Sequence, residues 1–202
     1  MAFSDFKYPA VLGELGLTET SVLDLFGHAP PVPASASLVG TLPSNVRLAS
    51  GAHTEFSRSV WLVGPVLSEV WGRYNGRICL IGGAEFTADA AAKLTGVCDF
   101  LFGRYPQVSH VKAPAIVLFE AKRDSIPDGL GQCIAAMVGA QRFNRNEGHP
   151  IETVYGCVTT GVNWKFLTLT GTVVTLDQTE YSVHEVDRIL GILVHMIGPI
   201  PA

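Results

Sequence analysis

The run 115-AIVLFEAK-122 constrains this chain more than any other stretch. It is apolar without interruption from Ala115 to Phe119, too short for a buried helix and rich in strand-forming residues, so it reads as a β-strand. Strand side chains alternate, which puts Ile116, Leu118, Glu120 and Lys122 on one face and Val117, Phe119 and Ala121 on the other. A strand that is apolar on both faces is covered on both, so it belongs inside a layered α/β sheet. Glu120 and Lys122 then stand at the rim of that sheet, partly out of water. A strand-end salt bridge is one reading of Glu-x-Lys; the edge of a chemical site is the other.

The rest of the composition agrees with a layered core. Of 202 residues, 48% are apolar and only 16% charged, enough apolar surface for one domain and too little charge for global disorder. Mean hydropathy of +0.30 points to unusually complete burial or a subunit interface. A net charge of −4 argues against non-specific coating of nucleic acid but leaves room for a local basic groove. Cys79, Cys98, Cys133 and Cys157 lack CxxC spacing or nearby histidines, which argues for buried reduced thiols over a zinc site or disulfides. The start MAFSDFKYP has no apolar core of a secretory signal, and 189–197 is too short to span a bilayer. A cytoplasmic protein with no membrane association is the expectation.

Along the chain, 1–50 reads as a helical or irregular N-terminal appendage, with 29-APPVPASAS-37 as a linker or surface crossing. The main domain is expected over 51–202. Thr54 is a candidate N-cap for a helix over 55–74, with Phe56, Val60, Val63, Leu67, Val70 and Trp71 as its buried stripe and a kink at Gly64-Pro65. Strands are expected over 77–83, 97–102 and 115–122, then a helix over 129–144, strands over 153–160 and 164–171, and a helix over 182–198. The order is αβββαββα, a mixed β-sheet flanked by helices.

Asp99 is the one charge in 97-VCDFLF-102, on the strand expected to pair with 115–122. A hydrogen-bonded acid at a strand edge would account for it alone. Two acids and a lysine on neighbouring strands can instead converge on one point. Carboxylates supply the oxygen ligands of a hard divalent cation, and Mg²⁺ completes its shell with water and phosphate. A lysine there orients water or offsets charge on a phosphoryl transition state.

Asp99, Glu120-Ala121-Lys122 about twenty residues on, and a helix opening with Gln132 resemble the PD-(D/E)xK nuclease superfamily. The phrases 97-VCDFLF-102, 120-EAKRDSIPDGLGQCIAAMVGAQRFN-144 and 157-CVTTGVNWKFLTL-169 are similar to a largely cyanobacterial group of uncharacterised members within it, over roughly 52–197. The resemblance implies a restriction-endonuclease-like core and a metal-dependent endonuclease hydrolysing DNA with Mg²⁺ or Mn²⁺. It implies Asp99 and Glu120 as metal ligands, Lys122 as the catalytic amine, and Gln132 touching DNA or the attacking water. It also implies a further acid from the first core helix: Glu55 at the helix opening, with Glu69 as runner-up. Ala136 stands where many members carry tyrosine, and no proline directly precedes Asp99.

The alternative is a nuclease fold that no longer cuts and binds DNA or a protein partner. A homodimer, or a place in a larger restriction or repair complex, stays open. Arg123, Arg142, Arg145 and Lys165 are either a phosphate-tracking edge or solvated surface charges. Asp124 is expected exposed near the rim, and the scattered histidines read as packing or surface residues.

Overall fold

The computed structural model describes residues 2–89 and 94–200. The chain opens with a short helix, α1 (Ala10–Glu14), and an edge strand, β1 (Thr18–Val22), then α2 (Ala36–Ala52). A helical stretch follows in three pieces: α3 (Glu55–Arg58), a π-helical turn over Ser59–Val63, and α4 (Gly64–Arg73). Next come β2 (Cys79–Asp89), β3 (Leu94–Gly103), β4 (Ala115–Ala121) and the long helix α5 (Pro127–Asn146). Strands β5 (Thr153–Thr159), β6 (Asn163–Thr170), β7 (Val173–Asp177) and β8 (Tyr181–Ser182) lead to a 3₁₀ turn and α6 (Val186–Ile197).

The strands form one mixed sheet in the order β1-β7-β6-β5-β4-β3-β2, with β8 against β6. β1 with β7 and β4 with β5 are parallel; the other neighbours are antiparallel. β4 is buried along its whole length, as a strand apolar on both faces requires. On one face α5 packs Leu130, Cys133, Ile134 and Met137 against Leu118, Val158 and Leu167. On the other, α4 and α6 pack Val66, Leu67, Val70, Ile189 and Leu193 against Val117, Phe119, Trp164 and Phe166. This is an α/β arrangement, a mixed sheet flanked by helices.

Residues of the expected N-terminal appendage reach both cores. Phe3, Phe6 and Val11 pack with α5, while Phe26, Ala29, Leu38 and Leu42 join the opposite layer. Tyr181 ties the segment down by donating its hydroxyl to Asp177 Oδ2 at 2.8 Å and Asp24 Oδ1 at 2.9 Å. Part of the stretch expected as a linker is α2, with Ser35 as N-cap accepting from the Leu38 N–H at 3.2 Å.

The single kinked helix expected over 55–74 is replaced by three pieces. The Gly64 N–H donates to the Ser59 carbonyl, an i→i−5 bond that widens the turn. The extra residue shifts the phase of the buried stripe. Leu62, Val63, Val66, Leu67 and Val70 are buried, whereas Phe56 is 78% and Val60 41% exposed, correcting their expected place in it. β2 also runs six residues beyond its expected end at residue 83. Gly83, at φ +63°, takes a left-handed conformation that lets the strand turn and continue, rather than ending it.

Candidate functional site

β3 and β4 pair antiparallel through Phe100 with Phe119 and Leu101 with Leu118. One step further in that register sets Asp99 beside Glu120. Asp99 Oδ2 accepts the Ala121 N–H at 2.7 Å, so the carboxylate closes the ladder where strand pairing stops. At the end of β4, the Lys122 N–H donates to the Thr159 carbonyl at 2.8 Å, which holds the next residue in line with β5. Glu120 and Lys122 therefore lie on one face of a rim fixed from both sides.

Glu120 is only 3% exposed, and Lys122 Nζ donates to its Oε1. Glu55 stands across the rim at the first position of α3, with Oε2 at 4.0 Å from Lys122 Nζ. Thr54 caps that helix, its hydroxyl accepting the Ser57 N–H at 3.1 Å. Beneath the pair, α5 presses close. A Cβ on Gly129 would lie 2.6 Å from Val158 Cγ1, 3.1 Å from Lys122 Cγ and 3.3 Å from Glu120 Cγ. Only a residue without a side chain lets the helix start this near the strand end.

The electrostatics follow from gathering three carboxylates around one ammonium. Burial, reinforced by the nearby charges of Asp99 and Glu55, pushes the Glu120 carboxyl up to about 8 against the pull of Lys122. Burial also raises Asp99, opposed by the Ala121 N–H and by Lys122. Glu55 is raised by burial and by Asp99, with Lys122 opposing. For Lys122, burial works against the charged form, but Glu120, Glu55 and Asp99 outweigh it and raise the ammonium. The cluster is short of positive charge.

Among the described residues, no three His, Cys, Asp or Glu side chains already stand in a metal-holding arrangement. The donor set nonetheless suits a hard divalent cation. Mg²⁺ usually takes one or two carboxylates and fills its shell with water and phosphate oxygens, so a ready-made cage is not required. Asp99 has one oxygen on Ala121 and Glu120 has one on Lys122, which leaves Oδ1 and Oε2 free of these bonds.

The other expected residues divide. Glu69 is committed elsewhere: it accepts the Ser35 N–H at 3.1 Å and hydroxyl at 2.8 Å, and Arg73 Nη2 at 3.0 Å. Burial alone would raise its carboxyl; those Ser35 and Arg73 bonds hold it below the usual range. Of the two helix acids, Glu55 is the one at the rim. Gln132 lies one turn after Gly129 on α5, partly buried, and hydrogen-bonds to none of Asp99, Glu120 and Lys122. Arg142 and Arg145 sit toward the far end of α5, roughly 20 Å along its axis from Gly129, and so outside any edge formed at the rim. Lys165 Nζ donates to the Gln178 carbonyl at 3.4 Å.

Asp124 is exposed and pairs with Arg123 and, at 3.8 Å, with Arg58. Arg58 has no motif to mark it in the sequence; only the fold of the α3 segment against the Thr160 carbonyl, 3.1 Å from its Nη1, reveals it. The chain matches none of the protein-family models or curated proteins with which it was compared. Among the described residues, no helix is long and apolar enough to cross a membrane.

Proposed function

We propose that this protein hydrolyses phosphodiester bonds of DNA with Mg²⁺ or Mn²⁺, on a restriction-endonuclease-like core of the PD-(D/E)xK kind. The observation that carries the reading is the meeting of Asp99, Glu120 and Lys122 at one sheet rim, with Glu55 across from them. Asp99 and Glu120, helped by Glu55, would hold the cation, which would supply Lewis-acid polarisation of a phosphoryl oxygen and a more acidic water. The Ala121 N–H and the Lys122 ammonium fix the orientation of the two carboxylates. Lys122 positions the attacking water or offsets charge developing on the phosphoryl group. Gln132, one turn into α5 and not hydrogen-bonded to the cluster, serves in this reading by touching substrate or the attacking water.

Purified protein supplied with Mn²⁺ is expected to nick or cut DNA, assayed on plasmid and on a single-stranded circle side by side, and Lys122→Ala to abolish the cutting. Cutting that persists undiminished in the variant refutes the assignment.

A second reading, a nuclease-fold module that binds DNA or a protein partner without cutting, is favoured by the net charge of −4 and the engagement of Lys122 by Glu120. Calorimetry separates the two: Mn²⁺ binding that Asp99→Ala eliminates supports the enzyme, and no binding at any accessible concentration supports the module. Either reading suits a cytoplasmic protein acting alone, as a homodimer, or inside a larger complex.

A further inference from the structure

The clefts on the two sides of the carboxylates differ in chemistry. One, of about 460 Å³, is walled by Phe56, Val60, Gly82, Gly83 and Phe100, with Glu55 and Asp99 at its edge. Another, of about 580 Å³, opens beside Thr54, Glu55, Lys122 and Arg123. It continues past Arg123, Asp124 and Ser125 into a polar recess of about 510 Å³ that includes Arg58 and Asn163. Glu55 borders the first two clefts, and Arg123 with Asp124 borders the second and third. Through these shared residues the clefts run on as a trough with an apolar arm, Glu55 at its middle with Asp99 and Lys122 on either side, and an arginine arm.

We propose that this trough seats one unpaired nucleic-acid strand, a base lying against Phe56 in the apolar arm and a neighbouring phosphate toward Arg58 and Arg123. The proposal rests on the nuclease reading of the same site and makes its substrate single-stranded DNA rather than duplex.

Phe56 is the first reason. It follows Glu55 directly and is 78% exposed on a helical stretch whose other face is buried, because the π-helical turn takes it off the buried stripe. An exposed ring beside a reaction centre is a stacking platform, and stacking is tolerant of sequence because every base has a π-face. Phe100 closes the far wall of the same arm.

Charge is the second reason. The chain has 14 Lys and Arg against 18 Asp and Glu, and the trough itself mixes Arg58 and Arg123 with Asp124 and Glu180. Duplex binding draws on many phosphate contacts from both strands. So few cations suit a ligand held chiefly through its bases, and only an unpaired strand offers those.

Arg58 is the third reason. Its Nη1 is spent on the Thr160 carbonyl and its Nη2 is 3.8 Å from Asp124. Its Nε is buried without a partner, alone in this among the side-chain nitrogens and oxygens of the described residues. That nitrogen is itself closed to a ligand; it is the long 3.8 Å pairing with exposed Asp124 that leaves the guanidinium charge only partly answered beside the recess Arg58 lines.

The test is fluorescence anisotropy in EDTA, where nothing is cut, with a dye-labelled single-stranded oligonucleotide and the duplex of the same sequence at one fixed salt concentration. The single strand should bind about tenfold or more tightly than the duplex. Phe56→Ala, at an exposed position that leaves the core intact, should weaken the single strand by about tenfold and leave the duplex unchanged. Duplex binding as tight as single-strand binding, indifference to Phe56→Ala, or no binding of either would overturn the proposal. So would a dimer in sedimentation that Phe56→Ala dissociates, with no strand preference. Lys122→Ala keeps the readings separate. A strand preference intact in the wild type and this variant, with cutting in neither, supports the strand seat and removes the hydrolase. Cutting of duplex that Lys122→Ala abolishes, with no strand preference, removes the strand seat and leaves the hydrolase.

Discussion

Gly129→Ala is the most direct probe of how the rim is built. The added methyl would stand 2.6 Å from Val158 Cγ1, about 1 Å inside the ordinary carbon contact distance. Val158 is fully buried and, being β-branched, is stiff about χ1, so it cannot simply turn aside. The first turn of α5 must lift instead. Overpacking of this kind costs roughly 1–3 kcal/mol. The better helix propensity of alanine returns at most about 1 kcal/mol, which leaves a net loss near 1–2 kcal/mol. Val158→Ala alone should cost about 2 kcal/mol, from two buried carbons at roughly 0.8 kcal/mol each plus a small cavity. In the double variant the new methyl occupies space that the valine vacated, so it should be about 1–2 kcal/mol more stable than the two losses predict when added. Urea unfolding of the four proteins, with matched slopes, gives the coupling directly. Losses that add to within about 0.5 kcal/mol would refute the close approach of α5 to the end of β5, the strand beside Glu120 and Lys122. Glu120 and Lys122 would then not be held as described.

Three further outcomes follow from the same contacts. The fold raises the Glu120 carboxyl from 4.5 to about 8, so it favours the protonated form, and that contribution is full below 4.5 and lost as pH rises through about 8. Thermal melts across that range should show wild-type stability falling with pH and Glu120→Gln falling less; equal slopes would place the titrating group elsewhere. Asn144 is buried and bridges α5 to β4, its Oδ1 accepting the Ala115 N–H at 2.8 Å and its Nδ2 donating to the Ala115 carbonyl at 2.7 Å. Asn144→Ala leaves two buried groups unpaired and should cost about 3 kcal/mol, or roughly 6–12 °C in Tm by calorimetry; a loss below about 1 kcal/mol would rule the bridge out. Glu55→Gln should weaken Mn²⁺ binding in calorimetry, whereas Glu69→Gln should leave it unchanged and loosen the Ser35 and Arg73 contacts by about 1 kcal/mol; the reverse pattern would exchange the two acids.

Much of the central layer is legible from local pattern. The double-faced apolar run of β4 can exist only inside a sheet. The 3.6-residue spacing of Val186, Ile189, Leu190, Leu193 and Ile197 marks a helix buried along one side, and α6 is that helix. Thr54 announces the start of α3 because a hydroxyl at an N-cap satisfies a backbone N–H within three residues. Strand alternation is enough to put Glu120 and Lys122 on one face. The pairing of β3 with β4 then brings Asp99 to them.

What depends on distant partners is not legible. β1 is TETSV, exposed at all five positions, with no alternation to betray it; it is a strand because β7 offers a free edge more than 150 residues away. The choice of Glu55 over Glu69 turns on Ser35 and Arg73 claiming the second carboxylate, a contact supplied by the N-cap of another helix. The exposure of Phe56 and Val60 depends on one wide turn, which the spacing of apolar residues does not encode. Gly129 and Arg58 acquire meaning only from Val158 and Thr160 across the layers. Periodicity records which face of an element is apolar, because burial acts on each residue in its own turn or pleat. It carries no record of which element arrives on that face, how closely, or which charge it brings.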